Sequence, residues 1–194
     1  MNQKQLIERV HAFFKSIGWT YDFNEEQSVF YTGCQLDCRL RNCRLVVDVQ
    51  DEILQCYAFA VEKVEAARRP AVIEFVTRAN WGFKRGAFEC DLTDGEVRYH
   101  TYVDCPEGAE MPHDDVLRSL VFVPTAMLEQ YGDMLLEVID GTMTPAEAVA
   151  KAEGDDESEA HESSSGSTSE SDALETPEAT PSSRALPSGG CGEA

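Results

Sequence analysis

The sequence predicts an α+β domain: an antiparallel sheet of about five strands with helices packed on it, in the order α-β-β-β-α-β-β-α. Three observations lead there. Short runs of alternating apolar and polar residues are joined by links of two to a few residues, which only antiparallel neighbours can use. Those runs are interrupted and followed by stretches whose apolar residues recur at helical spacing. Both patterns stop near Ala152, where the composition changes.

At the N-terminus, Leu6, Ile7, Val10, Phe13, Phe14 and Ile17 share one helical face, and Gly18 ends the helix. Trp19, Tyr21 and Phe23 then alternate with Thr20 and Asp22, the period-2 pattern of a short strand, an aromatic lead-in followed by a turn at Asn24-Glu25-Glu26. The next strands are Ser28 to Leu36, Arg44 to Val49 and Ile53 to Val61, the last two tightly linked by Asp51-Glu52. Val64 to Ala79 reads as a helix, with Val72, Phe75, Val76 and Ala79 on one stripe. Pro70 lies near its first turn, where a missing N–H costs little.

A hairpin follows. Phe88, Cys90 and Leu92 share one face of its first strand, and Val97, Tyr99, Thr101 and Val103 one face of its second, with Asp94-Gly95 as a tight turn between them. After a loop from Pro106 to Pro112, Asp114 or Asp115 caps a long helix carrying Leu117, Leu120, Val121, Leu128, Tyr131, Leu135 and Val138 on one stripe. Pro124 inside that stripe should kink or split it, and Gly141 ends it. Thr144-Pro145-Ala146-Glu147 has the capping pattern of a short final helix reaching Lys151.

Two regions result: a folded domain over 1–152 and an acidic tail over 153–194. The tail holds eleven acidic residues against the single basic Arg184, about half of the net charge of −20, and no aromatic residue. Ser, Glu, Pro and Gly dominate it, so it cannot bury enough apolar surface to offset its ordering entropy and is expected to be disordered. The acidic balance argues against nucleic acid and anionic membranes as partners. No apolar run is long enough to span a bilayer, and the N-terminal helix lacks the features of a signal peptide, so a cytoplasmic location is expected. Seven cysteines are then read as mostly free thiols.

Asn80-Trp81-Gly82-Phe83-Lys84, Gly86-Ala87-Phe88-Glu89, Asp91 and Asp94-Gly95-Glu96-Val97-Arg98-Tyr99 resemble the signature of the YbjN family, and Gly141, Thr144, Pro145 and Ala148 resemble its C-terminal motif. The resemblance covers roughly residues 3–152. It implies a type III secretion chaperone-like fold and a small dimeric, non-enzymatic regulator in bacterial sensory transduction, with neither catalytic residues nor cofactor. The signature letters have structural readings. Asn80 tolerates a left-handed helix end, and its amide can satisfy loose backbone groups. Gly82 and Gly86 frame a corner, while Asp91, Asp94 and Gly95 shape the hairpin.

Candidate chemistry outside that signature is sparse. Cys34, Cys38 and Cys43 surround a turn at Arg39 to Asn42, and Cys38 opposite Cys43 would bind metal or oxidise. Zinc usually asks for C-x2-C spacing and a fourth ligand, which His100 or Cys56 could supply only by accident of folding. This cluster supports an alternative function as a thiol-based redox or metal sensor; the competing reading is free thiols on a strand pair. Cys90 with His100 lacks the orienting acid and oxyanion site of a nucleophilic centre, and Cys90 is expected in the core. His11 should face solvent, His113 should sit by a cap, and His161 lies in the tail. Carboxylates are scattered at turns, and no nucleotide, hydrolase or metalloprotease motif occurs. Arg39, Arg41, Arg44, Arg68 and Arg69 form small groups that could read an acidic partner. Trp19, Tyr21, Phe30, Tyr57, Phe59, Trp81, Phe83, Phe88, Tyr99 and Tyr102 occupy sheet and corner positions. With helices on one face only, the other needs cover, so a homodimer or an extended protein client is expected.

Overall fold

A computed structural model describes residues 2–61 and 63–154. Within them the α+β plan holds, with six strands where five were expected. The elements run α1 (Gln3–Ser16), β1 (Asp22–Asn24), β2 (Val29–Gln35), β3 (Asn42–Gln50), β4 (Ile53–Val61), α2 (Arg69–Ala79), β5 (Ala87–Cys90), β6 (Val97–Asp104), α3 (Asp114–Asp140) and α4 (Pro145–Glu153). One antiparallel sheet has the order β1-β2-β3-β4-β6-β5.

The additional strand β1 comes from the aromatic lead-in, but only Phe23 of its three aromatics joins a ladder, opposite Phe30. Trp19 and Tyr21 instead turn onto α1, their rings 5.8 and 5.1 Å from that of Phe14. Burying two large rings against the helix outweighs the few ladder bonds that a longer strand would add.

Helix α2 begins five residues later than its apolar stripe suggested. Val64 is held outside it because its N–H donates to the Gly95 carbonyl at 2.9 Å, tucking the connecting segment beneath the β5–β6 loop. The helix then starts where Pro70 can occupy its first turn.

Pro124 does not divide α3, which runs unbroken for 27 residues. Proline has no N–H for the carbonyl four residues back, that of Leu120. In this fold the buried Thr101 hydroxyl, from β6, donates to that carbonyl at 2.7 Å. A tertiary hydrogen bond replaces the missing helical one. The N-cap is His113, without a side-chain capping bond, so neither aspartate caps the helix. Asp114 and Asp115 stand in its first turn instead, where carboxylates complement the helix dipole.

The final helix carries the expected capping box at Thr144 and Glu147. It extends two residues past Lys151, where the Tyr131 hydroxyl donates to Glu153 at 2.9 Å. The expected domain boundary at 152/153 thus falls within the last turn of α4. The rest of the predicted acidic tail lies outside the described residues.

The β5–β6 connection is longer than a two-residue turn, because β5 ends at Cys90. Asp91 and Glu96 close the loop by a backbone bond of 2.9 Å, and Gly95 N–H donates back to the Asp91 carbonyl at 2.8 Å. Leu92 leaves the strand pattern and is exposed. The core lies between one sheet face and the helices. Leu45, Val47 and Val49 of β3, Leu54, Cys56 and Ala58 of β4, and Val97 and Tyr99 of β6 all point into it.

An uncovered sheet face and an unfinished edge

Because side chains alternate across a strand, the residues between those core positions form the opposite face. No helix covers it. Register lines them up in rows across the sheet: Tyr31, Val46, Tyr57, His100 and Ala87 in one, and Arg44, Phe59, Arg98 and Glu89 in the next. The rows are knitted together. The Arg44 guanidinium stacks 3.7 Å from the Phe59 ring centre, and that of Arg98 lies 4.3 Å from the Tyr57 ring centre. Arg98 also pairs with Glu89 at 2.7 Å, and Glu96 stands 3.9 Å from both Arg44 and Arg98. His100 stacks on Tyr57 with ring centres 4.5 Å apart and shares a 3.0 Å hydrogen bond with Glu89 through Nδ1. Its Nε2 is shielded and has no hydrogen-bonding partner. The result is a half-buried surface of aromatic rings and interleaved charge, with an open depression of about 570 Å³ lined by Tyr31, Arg44, Val46, Tyr57, Phe59 and Arg98.

The sheet edge at β5 is treated differently along its length. The Asn80 amide pairs with the outward backbone of Phe88, accepting its N–H at 2.8 Å and donating to its carbonyl at 2.9 Å. That side chain occupies the place of a seventh strand and blocks further pairing there. Its backbone is right-handed (φ −65°), so the expected left-handed helix end is wrong, whereas the expected backbone-satisfying amide is present.

Beyond Gly86, β6 outruns β5. Ala87 lies opposite His100, and residues 101–104 have no partner strand on that side. By the alternation of an antiparallel ladder, Tyr102 and Asp104 turn their backbone N–H and C=O outward there. Alongside lies a cleft of about 530 Å³ lined by Lys84, Arg85, Tyr102, Asp115, Val116 and Ser119.

Gly86 and Gly95 are held by close approach as well as left-handed φ values of 70° and 90°. A Cβ on Gly86 would lie 2.4 Å from the His100 carbonyl, and one on Gly95 2.3 Å from that of Val64. Gly82 has the positive φ but open space around it. Asp91 and Asp94 accept the N–H groups of Thr93 and Glu96 at 2.7 and 2.9 Å. Asn80, Gly82, Gly86, Asp91, Asp94 and Gly95 therefore build the corner and the loop, while Glu89, Glu96 and Arg98 of the same signature form the ion-pair network at the open face. Trp81, between them, is 89% exposed.

The thiols are placed differently from expectation. Cys43 stands opposite Cys34, not Cys38, with the two sulfurs 3.3 Å apart. Cys38 has turned onto α3, where its sulfur faces the Leu128 carbonyl at 3.7 Å. Among the described residues no three His, Cys, Asp or Glu side chains gather as a metal-ligand set. Cys90 pairs with Val97 and His100 with Ala87, three positions apart along the ladder, and Cys90 is half-buried rather than a core thiol.

His11 does not face solvent. Its Nδ1 lies 2.8 Å from the Tyr21 hydroxyl, and its ring packs on Phe23 and Phe30. His161 lies outside the described residues. Of the arginines, Arg39 is committed to Glu137 and Asp140. Arg68 reaches the Asp140 carbonyl beneath Gly141, and Arg69 binds the carbonyls of Val64, Leu92, Thr93 and Asp94. Of the arginines expected to read an acidic partner, Arg44 lies on the open face, beside Arg98.

Of the aromatics expected to need cover, Phe30, Phe88 and Tyr99 point into the core. Tyr57, Phe59 and Tyr102 lie on the open face, joined by Tyr31, which the sequence reading passed over. The parity of Tyr31 with Phe30 was the available signal for it.

Fold and site define an α+β protein whose sheet is finished by helices on one face only, with no clustered catalytic constellation among the described residues. Residues 6–137 match the YbjN family, described as "Putative bacterial sensory transduction regulator". The chain belongs to this family. The match ends before Gly141 to Ala148, so it does not include the C-terminal motif of the resemblance. Among solved structures the chain is similar to one titled "Crystal structure of YbjN, a putative transcription regulator from E. coli", with 8% identity, a TM-score of 0.45, and coverage of 70% of this chain and 90% of that one. Among curated proteins, none matches the chain. No helix among the described residues is long and apolar enough to cross a membrane.

Proposed function

We propose that the chain is a non-enzymatic cytoplasmic regulator that works as a homodimer and holds an extended polypeptide segment noncovalently. The observation that carries this reading is the unfinished sheet: helices complete one face, while the other keeps its aromatic and arginine rows and the β6 edge keeps free backbone groups. A second copy suits the open face because its acidic groups are largely offset there. On a chain of net charge −20, the two cations Arg44 and Arg98 stand among the three carboxylates Asp48, Glu89 and Glu96, so two such faces meet with less repulsion than the remaining surface would impose. The edge suits an extended segment, which adds as a strand through main-chain hydrogen bonds. Lys84 and Arg85, which form no ion pair among the described residues, favour acidic side chains on that segment.

Photo-crosslinking in cells, from a reactive residue placed at position 59 or position 102, tests both contacts, with light scattering of the purified full chain alongside. Position 59 is expected to crosslink to a second copy, position 102 to a different polypeptide, and the purified chain to scatter as a dimer. A monomer at micromolar concentration, with no intermolecular product from position 59, overturns the homodimer. Absence of any heterologous product from position 102 overturns the client site.

A further inference from the structure

The seven cysteines are not equivalent, and one pair of them is built for chemistry that the binding function does not use. Cys34 of β2 and Cys43 of β3 are direct cross-strand partners. In antiparallel strands, opposite residues have Cα atoms about 4.5–5.5 Å apart, inside the range that a disulfide spans. The two sulfurs are already 3.3 Å apart, so closing to a bond of about 2.05 Å asks for side-chain rotation and no change of register. Their surroundings are asymmetric. Cys43 is buried, 5% exposed, and Cys34 is half-buried, so a reagent can reach one sulfur and not the other.

We propose that Cys34 and Cys43 form a reversible thiol–disulfide switch, with Cys34 as the attacking thiol, Cys43 as the resolving thiol, and a low-molecular-weight disulfide as oxidant. The Cys34 thiolate attacks one sulfur of the oxidant, forming a mixed disulfide and releasing the first thiolate. Cys43 then gives up its proton to solvent and attacks the Cys34 sulfur, expelling the second. Two protein thiols are oxidised and the small disulfide is reduced to two thiols, so atoms and electrons balance. The electrostatics agree with these roles. The hydrogen bond shared by the two sulfurs holds the Cys34 pKa below its ordinary value, while the same bond and burial push Cys43 up. Cys38, Cys56, Cys90 and Cys105 are all pushed up, chiefly by burial. Cys34 is thus the described thiol with the largest thiolate fraction, the form that exchanges.

The pair also sits where a crosslink matters. It lies at the base of the β2–β3 loop, one residue pair from its ends, and that loop is docked on α3. There the Asp37 and Arg39 backbone N–H groups donate to Glu129 and Asp133 at 3.1 and 2.7 Å, and Leu40 lies against Gly132. Both sulfurs are on the helix side of the sheet, opposite the surface assigned to a second copy. Oxidation and dimerisation can therefore be read separately.

The test uses the reduced full-length chain incubated with glutathione disulfide, alkylated, and mapped by mass spectrometry. The expected product is a single intramolecular Cys34–Cys43 linkage that dithiothreitol reverses, with the remaining cysteines alkylated. Cys43→Ser should stop at one glutathione adduct on Cys34, Cys34→Ser should acquire none on Cys43, and Cys38→Ser should behave as the parent. A different pairing, including one to Cys38 or to Cys191, overturns the proposal, as does full alkylation of Cys34 and Cys43 after prolonged oxidation. The mapping on the unsubstituted chain decides the matter even if a serine variant folds poorly.

Discussion

The two faces of this sheet are made by the same strands, one residue out of phase, yet they are different materials. On the helix side, Leu45, Val47, Leu54, Cys56 and Tyr99 are sealed from solvent. On the other, Arg44, Val46, Tyr57, Phe59 and Arg98 are apolar in bulk but laced with guanidinium–ring stacks and ion pairs. A side chain on the first face holds the monomer together through loss of water. A side chain on the second mostly touches its row neighbours and leaves its outer surface for a partner. Stability and association are thereby assigned to opposite parities of one strand set.

The sharpest way to break this contrast is to truncate one aromatic from each face and measure urea unfolding. Phe30→Ala, removing a fully buried ring of β2 that meets Phe14 and Tyr21, is expected to cost about 3–5 kcal/mol. Phe59→Ala loses a stacked arginine and little burial, and should cost under about 1 kcal/mol, measured at a concentration where the chain is monomeric. Equal losses would show that the open face is as much core as the covered one.

A smaller effect tests how the covered face is joined to its helices. Thr101 supplies the hydrogen that Pro124 cannot give to the Leu120 carbonyl. Thr101→Val should therefore cost about 1–2 kcal/mol by leaving a buried carbonyl unpaired. With Pro124→Ala in place, the alanine N–H takes that carbonyl and most of the cost of Thr101→Val should vanish. A double-mutant cycle with additive losses would sink the account.

Much of the fold was legible because periodicity reports burial, and burial made these elements. Capping and turn residues fixed several ends: Gly18, Gly141, and Thr144 with Glu147 sit where a reader of local rules puts them. The failures have one cause, tertiary partners acting on locally ambiguous segments. Val64 is helical by pattern but held by Gly95. Pro124 is a breaker by rule but rescued by Thr101. Cys34 and not Cys38 faces Cys43 because the hairpin turn lies lower than its composition suggests, with Arg41 in the left-handed region. The candidate surface was legible as a need for cover, since helices were expected on one side. Its rows were not, because cross-strand neighbours depend on register, and register follows from pairings between segments far apart in sequence.

The smallest expected effect lies at the rim of the covered face, where His11 was taken for a surface residue. Its imidazole is packed on Phe23 and Phe30, with ring centres 4.9 and 4.7 Å away, and bonded to the Tyr21 hydroxyl. Burial first, and then the positive charge of Lys15, hold its pKa below the ordinary value of 6.5. A base whose folded pKa is depressed favours folding in its neutral form, because the unfolded chain takes up the proton first as pH falls. That contribution is complete above about pH 6.5, is lost as pH drops through the unfolded value, and levels off below the depressed folded one. His11→Gln removes the titration. The melting temperature of the unsubstituted chain should therefore fall more between pH 7 and pH 5 than that of the variant. The difference should be modest, because the ring is only partly withdrawn from water. Parallel melting curves for the two chains would mean that His11 belongs energetically with the open surface, and that the covered face ends one residue earlier than its packing indicates.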